Sequence, residues 1–385
     1  MARKVQIIGS PIALGDDSED FSGLHFFDPY RTGGGKALLV RLRSLGDTVL
    51  MTPGLEAIRR VPGWQTAVVV EEPFDQLLQG NPQLDRIFPI PHSKHAWLQR
   101  LRVIRRLRAW KPDLAIDLHG GSTSSLITRL SEAAIRVGYA ASRHSRYYSL
   151  RVPDSRQMWR KDRVHTVEHQ LSPLRLLGFP TEPVPAPFLP VGREALRAVR
   201  SRLQAKGVQQ GFILVHPAAA FETKQWEAHR FAELIDQISP EVPGIVLTAG
   251  PGQEGLLEKV ARGCRSDVCV LDPMSLTEFA ALASRCGLYI GNDTGTTHMA
   301  SALGKKVVVI FGSSDWRVWR PWNTEYRLIR AGLDCIPCPG YRCGLYDEPR
   351  CIRSIEVEEV VEAVRELLGR SQESGIRNQE EGSTR

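Results

Sequence analysis

Two successive blocks of short apolar runs, each alternating with longer amphipathic stretches, leave this chain few choices of fold. In the first block the runs fall at residues 36–42, 66–70, 86–90 and 114–118. In the second they fall at 212–215, 244–249, 268–271, 288–290 and 307–311. Runs of this length suit strands buried on both faces, and the stretches between them suit crossover helices. Strand and helix in alternation predict a parallel, doubly wound sheet, here twice in succession. Between the blocks, residues 180–190 carry Pro180, Pro183, Pro185, Pro187 and Pro190, a linker composition. The expected class is therefore α/β, with Rossmann-like domains at 36–185 and 186–369. An extension at 1–35, with one strand-like run at 5–8, precedes them. A disordered tail at 370–385, whose one aliphatic residue is Ile376, follows.

A chain of 385 residues exceeds one typical core, in keeping with two domains. No apolar run approaches the roughly 20 residues of a membrane span. The first ten residues lack a secretory apolar core and acidic residues follow, so a cytoplasmic location is expected. Seven cysteines, four of them crowded near the C-terminus, do not resemble a secreted disulfide framework. The net charge of +7 favours acidic partners: a phosphorylated substrate, an anionic membrane surface or nucleic acid. Nucleic acid is not expected, since the chain shows no recognisable binding module. Residues 97–110 read as a basic amphipathic helix, with Leu98, Leu101, Ile104 and Leu107 on one face and five arginines on the rest. Such a helix can rest on an anionic membrane, or cover a sheet with its charged face in water.

Chemistry collects where strands end. Gly291-Asn292-Asp293-Thr294-Gly295-Thr296-Thr297-His298 joins a strand to a small-residue helix. Asp293 and Thr294 can cap that helix, Gly295 admits a ligand to the backbone, and the free N–H groups suit phosphate. The loop from His216 to Trp226 supplies Lys224, a point charge for phosphate. The turn Gly250-Pro251-Gly252 leads to Glu254, which can accept from ribose hydroxyls or cap its own helix. Together these loops read as a nucleotide-diphosphate site. In the first block, Asp47 stands where the first strand hands over to a helix, as a general base or a cap. His119-Gly120-Gly121 ends another strand, and the run 143–148 is basic and aromatic. His165 and His169 lie four apart, without the glutamate of a zincin motif. Cys335, Cys338, Cys343 and Cys351 are enough ligands for a structural zinc, or are free or paired thiols.

Arg41-x-Arg43-Ser44-Leu45-Gly46-Asp47, His216-Pro217 with Thr223-Lys224-x-Trp226, Gly250-Pro251-Gly252-x-Glu254, Gly291 to His298, Phe311-Gly312 with Asp315, and Trp319-x-Pro321-Trp322 occur in order. This set resembles glycosyltransferase family 9, the bacterial ADP-heptose:lipopolysaccharide heptosyltransferases, over about residues 36 to 368. The resemblance implies a GT-B fold, two Rossmann-like domains facing across a cleft. It also implies inverting transfer of heptose from ADP-L-glycero-β-D-manno-heptose to an inner-core sugar on lipid A. Asp47 would be the catalytic base. Lys224, Glu254, Asp293, Thr294, Gly295 and His298 would hold the donor. On the acceptor side stand Ser44 and Gly46 beside Asp47, with His119 and Arg143. No cofactor is required for such catalysis. The implied partners are ADP-heptose, a lipid A-linked core oligosaccharide and the inner-membrane surface. Ala218-Ala219-Ala220 replaces the family's glycine-serine pattern, and His119-Gly120-Gly121 departs from its polar turn. These departures leave open another nucleotide sugar or glycan acceptor, or a binding protein without catalysis.

Overall fold

The computed structural model describes residues 27–93, 96–338 and 340–380. The chain divides into two compact units, Met1–Pro190 and Val191–Arg385. The division falls at the end of the proline-rich segment, against the expected boundary at 185/186.

In the first unit six strands, β1 (Gly35–Val40), β2 (Trp64–Glu71), β3 (Arg86–Ile90), β4 (Leu114–Asp117), β5 (Ile135–Tyr139) and β6 (Leu150–Val152), form one sheet in the order β3-β2-β1-β4-β5-β6. Every neighbouring pair is parallel. Leu38, Leu39 and Val40 of β1 and Ala67 to Val70 of β2 are wholly buried, so both faces of the sheet are covered. The strand order reverses between β1 and β4, which sets the loops after these two strands side by side. Helix α1 (Leu45–Leu50) stops at Met51, and α2 (Thr52–Arg59) restarts with Pro53 in its first turn, where a missing N–H costs nothing. Helices α3 (Trp97–Trp110) and α4 (Ser122–Leu130) follow. β5 and β6 carry no expectation from the sequence; both are short and hold an exposed or half-buried arginine, which breaks the apolar run.

Two expectations need correction here. Packing begins within the stretch read as an extension. Phe27 is buried against Trp64 and Phe179, and Trp64 Nε1 donates to the carbonyl of Pro29 at 3.1 Å. The strand-like run at 5–8 lies outside the described residues. The apolar face assigned to α3 is also misplaced. Val103, Leu107 and Trp110 meet the sheet, with Trp110 edge-on to Phe88 at 6.2 Å, while Leu98 and Leu101 face solvent. The expected set is spaced i, i+3, i+6, i+9 and the buried set i, i+4, i+7, both of them helical spacings, and the aromatic partner on β3 decides between them.

The second unit repeats the plan. Strands β7 (Ile213–His216), β8 (Ile245–Leu247), β9 (Cys269–Val270), β10 (Leu288–Asn292), β11 (Lys306–Phe311) and β12 (Tyr326–Arg330) run in the order β12-β11-β10-β7-β8-β9, all parallel. The reversal falls between β7 and β10. Helix Ala228–Ile238 buries Phe231, Leu234, Ile235 and Ile238 at helical spacing, and Trp226, Ile290, Ile310 and Val364 share that core. The last helix is Val357–Glu380. Its backbone thus continues through much of the tail expected to be disordered from 370. Residues 370–380 are rich in Arg, Gln and Glu, which extend a helix once packing has nucleated it.

Candidate active site

In the first unit, Asp47 sits in the first turn of α1, its side chain about one-eighth exposed, ion-paired to Arg41. Ser44, at the N-cap, donates its N–H at 3.3 Å and its hydroxyl at 3.1 Å to Asp47 Oδ2. Arg41 Nη1 also donates to the carbonyl of Leu118 at 2.6 Å, tying the end of β1 to the end of β4. Gly46 is buried in the same turn. The carboxylate is therefore held by a cation and a cap, with an edge left to solvent.

His119 follows β4, and its turn is built on Asp117. This carboxylate is fully buried, a costly placement unless donors surround it. Five do so. Oδ1 accepts the N–H groups of His119 and Gly120 at 2.9 and 2.8 Å. Oδ2 accepts the hydroxyls of Ser124, Ser125 and Tyr148 at 2.9, 3.2 and 2.7 Å. Burial pushes the Tyr148 phenol up to about 12, so it stays a donor. Gly138 makes room for it, since a Cβ there would lie 2.4 Å from the Tyr148 ring. Burial, and then the Arg41 charge, hold the His119 imidazole below its ordinary pKa, which keeps it neutral at pH 7. Arg143 is exposed on a loop tied to this turn from both sides. Ser142 Oγ donates to the Gly120 carbonyl at 3.0 Å, and His144 Nε2 lies 2.9 Å from Ser122 Oγ. Asp47, Ser44, Gly46, His119 and the Arg143 loop thus gather at the sheet's switch point. His169 stacks on Tyr139 at 4.3 Å, with Nδ1 2.8 Å from Ser155 Oγ, whereas His165 caps its helix through Val167 N–H.

In the second unit, Lys224 Nζ lies 2.7 Å from Asp293 Oδ2. Lys224 ends a single turn, Glu222–Lys224, and Asp293 follows β10 directly. Asn292 joins their two loops, donating to the Pro217 carbonyl at 2.7 Å and accepting from Trp226 N–H at 3.3 Å. Thr294 is the N-cap of helix Gly295–Ala302. Beneath it, the hydroxyls of Thr294, Thr296 and Tyr289 form a chain at 2.8 and 3.0 Å. His216, also buried there, is held down to about 4 by burial. His298 is buried in the same helix with its ring 6.2 Å from that of Trp319, so it packs beneath the loop. Glu254 is exposed at the end of the third loop. Its own N–H and that of Gly252, donating at 3.0 Å, hold its carboxyl below the usual range. Ala219 N–H, in the segment that departs from the glycine-serine pattern, donates to Gln225 Oε1 at 2.7 Å.

With this geometry, the model for glycosyltransferase family 9 (heptosyltransferase) matches residues 100–346, which takes in every donor-side candidate of the second unit. The chain belongs to glycosyltransferase family 9. Lipopolysaccharide heptosyltransferase 3 of Escherichia coli K12 is 25% identical over 357 residues, spanning 88% of this chain and 99% of that protein. Among solved structures, the family 9 glycosyl transferase of Veillonella parvula superposes with a TM-score of 0.75 at 23% identity. That match covers 87% of this chain and 97% of the other. The E. coli heptosyltransferase WaaC, crystallised with ADP-2-deoxy-2-fluoro heptose, gives 0.64 at 21% identity, covering 87% and 99%. The two Rossmann-like units are those of the expected GT-B fold.

Several residues that organise this glycosyltransferase's loops escape the sequence reading. Asp117 reads as one more residue of a buried strand. Thr223 is fixed by Gly312 and Ser313. A Cβ on Gly312 would lie 1.9 Å from the Thr223 carbonyl, and Ser313 donates both N–H and hydroxyl to Thr223, at 3.1 and 2.9 Å. That close approach sets the turn bearing Lys224; the glycine after β11 was its one sequence signal. The four C-terminal cysteines are free thiols. Cys351 is buried with Sγ 3.7 Å from the Thr223 carbonyl. Its thiol is pushed up to about 11 by burial, then by Cys335 and Cys343 nearby. Cys338 Sγ accepts from Gly340 N–H at 3.4 Å. Among the described residues no group of three or more His, Cys, Asp or Glu is placed to hold a metal ion. No described helix is long and apolar enough to cross a membrane.

Proposed function

We propose that this glycosyltransferase moves heptose from ADP-L-glycero-β-D-manno-heptose to an inner-core sugar of lipopolysaccharide, with inversion at the anomeric carbon. The observation that carries the reading is Asp47, a carboxylate oriented by Arg41 and Ser44 at the switch point of the first unit. The acceptor hydroxyl gives its proton to Asp47 as its oxygen bonds to the anomeric carbon. The bond from that carbon to the diphosphate breaks on the opposite face, and ADP leaves with the electron pair. On this reading Lys224 exchanges Asp293 for the diphosphate. The N–H groups at the start of helix Gly295–Ala302, which Thr294 caps, stabilise the departing charge. Glu254 serves the ribose, and His298 supports the loop from below. His119 and Arg143 engage the core oligosaccharide, the neutral imidazole by hydrogen bonding and the guanidinium by charge. These fixed charges take the role a metal plays elsewhere, so no cofactor is needed.

ADP release from ADP-heptose, with and without a lipid A-linked core acceptor, tests the proposal. Release should depend on acceptor, survive chelator treatment, and fall by about 10³ in Asp47→Asn, within the range of a lost general base. Acceptor-dependent release that persists undiminished in Asp47→Asn would remove Asp47 from the mechanism. Turnover with only UDP- or GDP-sugars would overturn the donor.

A further inference from the structure

Helix α3 covers the first sheet with one side and offers water a surface that a soluble helix ordinarily avoids. Trp97, Leu98 and Leu101 are 61%, 55% and 41% exposed. At about 100° per residue these three share one arc with Arg105 and Arg108, on the side opposite Val103, Leu107 and Trp110. Arg102 flanks the arc and is exposed, as is Arg105. The helix holds five arginines and no acid. Apolar side chains therefore crowd its first turns and cations its later ones.

We infer that this face of α3 docks the enzyme on an anionic phospholipid surface. Trp97, Leu98 and Leu101 enter the headgroup boundary, while Arg102 and Arg105 meet lipid phosphates. Charge complementarity selects this occupant: α3 carries five arginines and no acid, and Glu132 pairs with Arg108 near its far end, so the face as a whole stays cationic, repelling a second copy of itself and attracting an anionic bilayer. A tryptophan has an apolar body and a polar N–H, which suits the boundary between acyl chains and water. The inference rests on the proposed function only for its purpose, holding the enzyme where a lipid-borne acceptor lies.

Vesicle cosedimentation of the full chain tests it. Vesicles of phosphatidylcholine with phosphatidylglycerol should bind the protein at low salt, and phosphatidylcholine alone should not. Binding should weaken as salt is raised, since the attraction is screened beyond about 10 Å at 0.1 M. Each arginine near such a surface contributes about fivefold to binding. Arg102→Gln with Arg105→Gln should thus lose tenfold or more, and Leu98→Gln with Leu101→Gln should lose a comparable amount. Both pairs replace exposed side chains, so unfolding temperature and turnover on a delipidated acceptor should stay at wild-type values. Vesicle binding is read without turnover, so this inference and the proposed reaction fail separately. No binding by the wild type at low salt, or undiminished binding by both variants, would overturn the assignment. A shift in oligomeric state in Leu98→Gln with Leu101→Gln would do so as well, giving the face to a second copy.

Discussion

Lys224 Nζ and Asp293 Oδ2 lie 2.7 Å apart, so the cation proposed to meet the leaving diphosphate is positioned by a carboxylate that is only 4% exposed. The pair joins the loops after β7 and β10, the two strands between which the sheet order reverses. A ligand anion at this point competes with Asp293 for the same ammonium group.

This pairing makes Lys224→Met costly twice over. The change strands a buried carboxylate, with an expected loss of about 3 kcal/mol, and it removes the counter-charge for the donor. Asp293→Asn in the same chain should recover much of the stability without restoring turnover. Thermal unfolding of the two single variants and the double variant measures the coupling. Strict additivity would show that the ion pair contributes nothing to the fold.

Tyr148 is one of five donors to the buried Asp117, and Asp117 holds the turn that carries His119. Tyr148→Phe should cost about 1–2 kcal/mol, the penalty for one lost donor on a buried acceptor. The KM for acceptor should rise while ADP affinity, a property of the second unit on the proposed reading, stays constant. Acceptor titration and calorimetry with ADP separate the two. A change in ADP affinity alone would place His119 outside the acceptor's reach.

His216 gives the second unit a pH dependence with a definite sign. Burial holds its folded pKa down to about 4, against 6.5 for an unperturbed histidine. The unfolded chain therefore takes up a proton that the folded chain refuses. Stability is fully present above pH 6.5 and is lost as pH falls from there toward 4, by about 3 kcal/mol at most. His216→Asn should show a smaller drop in urea midpoint between pH 7 and pH 4.5 than the wild type. An equal drop in both would mean that the carboxylates carry the whole effect.

The chain's periodicity was enough to predict two doubly wound sheets, because strand and helix repeats are local and proline marks the joint. It was not enough for β5, β6 and β12. Two of these stand at sheet edges, all three are short, and arginine interrupts their apolar pattern. The face of α3 was misread for a related reason. Leu98 and Leu101 look as apolar on a wheel as Val103 and Trp110, and Phe88, distant in sequence, selects the buried pair.

By itself the sequence determined the alternation, the strand-end placement of Asp47, Lys224, Glu254 and the Gly291 to His298 loop, and through their motifs the family. These are properties of neighbouring residues, set by backbone preference and by the chemistry that a strand end exposes. Tertiary structure alone decided which distant atoms share a charge or a hydrogen bond. Arg41 reaches the Leu118 carbonyl, Asp117 draws in Tyr148, and Gly312 admits the Thr223 carbonyl. A buried polar group must find its partner wherever the fold brings one, and that partner need not be near in the chain.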